Sequence, residues 1–202
     1  MGGTTPIATD LASTTVRLQR LLPQLFQPEE KTGDRYLKFE FSPQQSGLIS
    51  LEYVHEALRV PTRLVTPIPN MPDCVVGFMN SRNQVFFVVD LAQMLQLPAT
   101  TANRQYYPVV TVRQSAISQA QDVYLNQTDE DTSLLGLVVH AIQGVIRLNA
   151  EEIASPIEEF SEELTPYLKG CFVQDGQSIP VLDVQAIATA KILAMPGYAV
   201  SS

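Results

Sequence analysis

Tryptophan is absent from this chain of 202 residues, and only two histidines, His55 and His140, and two cysteines, Cys74 and Cys171, occur. So few ligating side chains leave no His-x-x-x-His pair and no cysteine cluster to hold a metal. Basic residues are outnumbered, 13 Lys and Arg against 21 Asp and Glu, for a formal net charge of −8. A nucleic-acid partner, whose phosphates need a basic face, is disfavoured on that balance. Anionic membranes are disfavoured for the same reason. No run approaches the roughly twenty apolar residues a membrane-spanning helix requires, and Met1-Gly2-Gly3-Thr4-Thr5-Pro6 lacks a basic stretch followed by an apolar one, so no secretory signal is expected. The cysteines lie in apolar surroundings without Cys-x-x-Cys spacing, which reads as two buried thiols in a reduced cytoplasm. Phosphate loops of the Gly-x-x-x-x-Gly-Lys-Ser/Thr kind are missing, as are the Gly-x-Gly-x-x-Gly dinucleotide fingerprint and the Gly-x-Ser-x-Gly nucleophile elbow.

What is present is an internal repeat. Gly77 precedes Asp90 by the same interval as Gly170 precedes Asp183 (90 − 77 = 183 − 170 = 13). Within each interval an apolar run, a polar turn and a second apolar run follow in order. Asn83 aligns with Gly176, and these residue types best accept a positive φ. Each copy therefore predicts strand, tight turn, strand, and an Asp capping a short helix. Upstream, Val54–Val60 resembles Ile142–Leu148, with Arg59 and Arg147 at the same step. Asp90 and Asp183 resemble a carboxylate pair on paper, but equivalent places at the head of two helices assign them to capping.

Leu18, Leu21 and Leu22 predict a helix within Thr14–Leu22, limited by Pro23, in a 1–34 N-terminal extension. Leu37, Phe39 and Phe41 alternate with Lys38 and Glu40, the period of a strand with one buried face. Residues 47–60 continue as strand, and Pro61, Pro67, Pro69 and Pro72 punctuate an irregular segment. Pro108–Val112 and Leu134–Leu148 read as strand, 115–132 as a long polar hairpin or loop, and 184–193 as helix. The fold class is mainly all-β, with two barrels and short capped helices. The division is 35–98 for the first barrel, 99–107 linker, 108–194 for the second barrel with its helix, and 195–202 a loose tail.

At these same residues the chain resembles the CheW-like family. The resemblance rests on Leu51-Glu52-Tyr53-Val54-His55-Glu56-Ala57, on Pro67-Ile68-Pro69, on Gly77-Phe78-Met79-Asn80-Ser81-Arg82-Asn83-Gln84 with Val88-Val89-Asp90-Leu91, on Gly136-Leu137-Val138-Val139-His140, and on Gly170 with Val181-Leu182-Asp183-Val184. It runs from about Tyr36 to Leu193. Departures are Ser81 for the family's Leu, Asn83 for its Gly, Phe87 for its Pro and His140 for its Asp. The resemblance implies two five-stranded, SH3-like barrels sharing a core. It also implies a cytoplasmic, non-enzymatic adaptor between a methyl-accepting chemoreceptor tip and the regulatory domain of a CheA-type histidine kinase, serving chemotaxis or pilus-based taxis. No cofactor, no metal, no catalytic residue and no membrane insertion are expected. Val54, Glu56, Gly77, Asn80 and Arg82 are the expected partner-binding residues. For Val54 and Gly77, plain packing and a tight backbone approach are the competing reading. Arg82 is expected on an exposed turn with little to stabilise internally. A stand-alone structural or ligand-sensing barrel is the alternative, and an enzyme on a β-barrel scaffold a remote one.

Overall fold

The computed structural model describes residues 33–190, apart from 44, 100, 102, 115–132 and 156–158, together with Leu193. The expected leader helix, the 115–132 segment and the 195–202 tail therefore lie outside the described residues. The strands are β1 (Asp34–Ser42), β2 (Gln45–Ser50), β3 (Val54–Pro61), β4 (Val75–Ser81), β5 (Gln84–Asp90), β6 (Tyr106–Arg113), β7 (Leu134–Val138), β8 (Ala141–Leu148), β9 (Ile153–Ala154), β10 (Leu168–Gln174) and β11 (Gln177–Leu182). Two short helices, α1 (Leu91–Met94) and α2 (Val184–Ala188), follow β5 and β11. The all-β class holds. The second helix ends at Ala188, short of the predicted Leu193, where the Thr189 hydroxyl donates to the Gln185 carbonyl.

One sheet has the order β8-β1-β2-β11-β10-β9 and the other β3-β6-β7-β5-β4. Lining them up pairs β8 with β3, β1 with β6, β2 with β7, β11 with β5 and β10 with β4. In both sheets the pair at the third and fourth places is parallel, β2 with β11 and β7 with β5. The two sequence repeats are thus β1–β5 with α1, and β6–β11 with α2, but the sheets do not follow them. Each repeat lends its first two strands to the other repeat's sheet. The sheets therefore cut across the 35–98 and 108–194 division. The chain crosses between sheets at 51–53 and again at Val139–His140, so the predicted continuous strands 47–60 and 134–148 are each two strands in different sheets. Local pattern identifies strands; it carries no information on which distant strand completes a sheet. The linker is also shorter than expected, because β6 begins at Tyr106.

Period-two alternation explains how both faces of the central strands are used. On β5, Phe86 and Val88 enter one cluster with Val60, Met79, Val109 and Val138, while Val89 enters another with Leu37, Phe39, Ile49, Val110 and Leu137. On β1 and β2, Tyr36 and Leu48 join Leu148, Ile179 and Val181. Each sheet encloses its own small core, and the opposite faces meet in a shared one. Members from both edge strands of one sheet, Val60 of β3 and Met79 of β4, share a cluster, so that sheet is curled.

The repeat recurs in backbone detail. Arg82 and Asn83 have φ of 49° and 65°, and Asp175 and Gly176 have 52° and 76°. Positive φ at both central residues matches the right-handed twist of a two-residue hairpin, as predicted for Asn83 and Gly176. The Asp90 carboxylate accepts from Gln93 N–H (3.2 Å), and Asp183 accepts from Gln185 N–H (2.9 Å) and Ala186 N–H (3.2 Å). Asp90 also accepts from Thr101 N–H at 3.1 Å. Both act as the predicted caps.

Candidate functional site

The five residues singled out in the sequence fall on the two edges of one sheet. Val54 and Glu56 lie on β3, Gly77 and Asn80 on β4, and Arg82 on the turn leading to β5. Curling brings these edges together, and two devices close the seam. At one end Thr66 and Phe78 exchange both backbone hydrogen bonds, at 2.8 and 2.9 Å. Near the other, Arg82 Nη2 lies 3.3 Å from Glu56 Oε2. Sequence reading preferred an Arg82 with little to stabilise internally and kept a salt bridge to a nearby Asp or Glu as the rival; the structure shows such a bridge, and its partner Glu56 was not identifiable because a contact across a curled sheet is invisible to local spacing.

Glu56 is held from behind. A shift of register in β3 between Val54 and Glu56 leaves the Glu56 backbone facing Thr111. The buried Thr111 hydroxyl accepts from Glu56 N–H (3.1 Å) and donates to Glu56 C=O (3.1 Å). The carboxylate is therefore presented by a fixed backbone, while its arginine remains 77% exposed. Such a pair in high dielectric contributes at most about 1 kcal/mol, so its main effect is to orient a guanidinium on an exposed turn.

Val54 is half-buried against the shared core. Gly77 is buried, and a Cβ built there would stand 2.1 Å from the Thr66 carbonyl oxygen. A Cβ on Gly170 would meet Ala154 O at 2.5 Å. Both glycines sit at the same register irregularity of equivalent hairpins. Packing and close backbone approach account for Val54 and Gly77.

Asn80 is exposed and pairs in register with Val85, itself 63% exposed. Phe78, on the same face two residues earlier, is also exposed. Sequence reading missed Phe78 and Val85. β5 is apolar at every step from Val85 to Val89, and alternation could not say which face would be covered. On the other sheet, Ile142 and Val145 of β8 are exposed as well. There the equivalents of Glu56 and Arg82 are Gly144 and Asp175, and no ion pair joins them among the described residues. Gly144, at φ 148°, faces open space.

The titratable groups have structural surroundings. Burial pushes the Cys74 and Cys171 thiols and the Tyr36 hydroxyl up. Both cysteines are buried and unpaired. His55 is exposed, with Arg113 Nη2 3.2 Å from its Nδ1. His140 is half-buried at the crossover between sheets, where Arg104 reaches both its carbonyl oxygen (3.0 Å) and its Nδ1 (2.7 Å). Among the described residues no cluster of three His, Cys, Asp or Glu could hold a metal, and no helix is long and apolar enough to cross a membrane.

Residues 35–191 match the family model described as CheW-like domain. The chain is 23% identical over 167 residues to the chemotaxis protein CheW of Klebsiella aerogenes, across 82% of this chain and 88% of that protein. It also superposes on the crystal structure of the scaffolding protein TtCheW from Thermoanaerobacter tengcongensis with a TM-score of 0.62, at 17% identity, over 79% of this chain and 95% of the other.

Proposed function

This chain belongs to the CheW-like family, and from that premise we propose that it is a non-enzymatic adaptor joining a methyl-accepting chemoreceptor tip to the regulatory domain of a CheA-type histidine kinase in the cytoplasm. The observation that carries the reading is the placement of exposed aliphatic and aromatic side chains on the edge strands β4 and β8 and on β5 beside β4. Phe78 and Val85 flank Asn80 on one curled sheet, and Ile142 and Val145 lie on the edge strand of the other. A shared core ties these two faces together. Two apolar faces on one scaffold suit two partners docked side by side, and such binding needs no catalytic group. In this reading Asn80 and Arg82 touch a partner, Glu56 orients Arg82, and Val54 and Gly77 maintain the surface that carries them.

The test is a pair of titrations, one with the purified kinase regulatory domain and one with a receptor-tip fragment. Val85→Asp is expected to weaken one partner by roughly 1–3 kcal/mol and Val145→Asp the other. Arg82→Ala is expected to lose at most about 1 kcal/mol of stability while weakening binding on its own face by roughly 1–3 kcal/mol. Absence of binding by the unaltered chain to both partners would refute the adaptor role. Unchanged binding by Arg82→Ala would remove Arg82 from the interface and leave it a seam residue.

A further inference from the structure

On β6, Val110 and Val112 face the shared core and Val109 faces the small core of its own sheet, so Thr111, fully buried, points inward with Val109. We propose that Thr111 is a positioning residue for partner recognition, its hydroxyl pinning the bulge in β3 that turns Glu56 toward Arg82. That this surface meets a partner rests on the adaptor reading above; the placement of Glu56 does not.

Val54 stands opposite Val112 and Glu56 opposite Thr111, which leaves His55 as an extra residue on β3. An extra residue reverses the alternation of faces. Val54 packs against the shared core, whereas Leu58 and Val60 belong to the small core. Glu56 shares the face of Leu58 and Val60 because it stands opposite Thr111. A β3 without the bulge would put Glu56 on the face of Val54, away from Arg82. With the bulge, the Glu56 side chain is only 15% exposed and meets Arg82 Nη2 across the seam. The Thr111 hydroxyl fastens the bulge at this step. It has a single proton to donate and gives it to Glu56 C=O, and it accepts from Glu56 N–H. Packing alone does not call for threonine here, since Val109, Val110 and Val112 surround it in the strand and valine would fill the same space.

The other sheet has an equivalent bulge without the hydroxyl. There Phe39 stands opposite Ile142 and Lys38 opposite Gly144, with Gln143 the extra residue. Lys38 takes the place of Thr111, and its Nζ donates to Gln174 Oε1 at 2.7 Å. Gly144 takes the place of Glu56 and has no side chain to aim. The hydroxyl therefore occurs in the sheet where a side chain has to be aimed. Arg82 projects from an exposed turn, and its contact with Glu56 sets its orientation. A guanidinium oriented before its partner arrives loses less freedom on binding, which raises the share of interaction energy that appears as affinity.

Thr111→Val is compared with Thr111→Ser, which keeps the hydroxyl, in the kinase and receptor titrations at a temperature where both variants are folded. Thr111→Val should weaken, by roughly two- to tenfold, the same partner that Arg82→Ala weakens, the cost of ordering one long side chain on binding. The other partner's affinity should not change. Thr111→Ser should bind like the unaltered chain, and Thr111→Val should cost nothing further in an Arg82→Ala background. In ¹⁵N spectra of the full chain without a partner, Thr111→Val should move the Arg82 Nε–H signal toward its position in Glu56→Gln, and Thr111→Ser should leave it in place. Equal weakening of both partners overturns the proposal, as does the same loss in Thr111→Ser, because the hydroxyl would then not be the cause. One measurement needs no variant to fold. The Glu56 N–H of the unaltered chain should exchange with solvent far more slowly than in an unstructured peptide, and exchange at the peptide rate overturns the proposal. Binding of neither partner by the unaltered chain refutes the adaptor alone, and the Arg82 signal and the Glu56 exchange then decide the placement. An unmoved Arg82 signal and unchanged affinity in Thr111→Val refute the placement and spare the adaptor.

Discussion

Replacing Gly77 by alanine should be among the most damaging single-atom additions to the described fold. The new Cβ would stand 2.1 Å from Thr66 O and 2.7 Å from the Thr66 carbonyl carbon. An ordinary non-bonded carbon–oxygen separation is about 3.3 Å, so one backbone must retreat by about 1 Å. What lies in the way is the exchange of hydrogen bonds between Thr66 and Phe78 that closes the curled sheet. Losing two such bonds costs about 1 kcal/mol each. Gly77 also sits at φ 151°, where a side chain adds strain of roughly 1–3 kcal/mol. The sum is about 3–5 kcal/mol, a large fraction of the stability of an ordinary domain. Gly176→Ala is the control, because its φ of 76° is also unfavourable but nothing lies within 4 Å of the added carbon; strain alone predicts about 1–2 kcal/mol. Urea unfolding followed by far-UV circular dichroism reads both, since no tryptophan is present to report. If Gly77→Ala costs no more than Gly176→Ala, the close approach to Thr66 is not what demands glycine there. Gly170→Ala should resemble Gly77→Ala, with Ala154 O 2.5 Å from its Cβ.

Thr111→Val removes the hydroxyl that both donates to and accepts from the Glu56 backbone; we expect a loss of about 1–3 kcal/mol in the same assay, and no change would assign those bonds no net stability. Because each repeat completes the other's sheet, 1–98 and 99–202 expressed separately should lack cooperative unfolding and regain it when mixed; cooperative unfolding of either piece alone would contradict the exchange. Cys74 and Cys171 should resist a thiol reagent in the folded protein and react once urea is added, and rapid labelling without denaturant would refute their burial. Their raised thiol pKa values also fix a sign: the stability they contribute is present below the ordinary thiol range and is lost as pH rises through the folded-state values, so an unfolding midpoint that rises there would contradict it.

Residues within a few steps of one another determined much of this protein from sequence alone. Asn83 and Gly176 adopt the left-handed turn because Asn and Gly tolerate it. Asp90 and Asp183 cap helices because a carboxylate reaches the N–H groups two or three residues ahead. Alternation placed Leu37, Phe39 and Phe41 in the core. Tertiary structure alone decided which sheet each strand joined. β2, β5 and β6 carry apolar residues on both faces, so alternation there is silent about which face meets which core, and similarity between repeats says nothing of their exchange. The site divides the same way. Gly77 was legible as a position of tight backbone approach, whereas the ion pair of Glu56 with Arg82 required distant segments to meet. Contacts of that kind depend on how a sheet curls and closes, a property of the whole chain that no short window of residues contains.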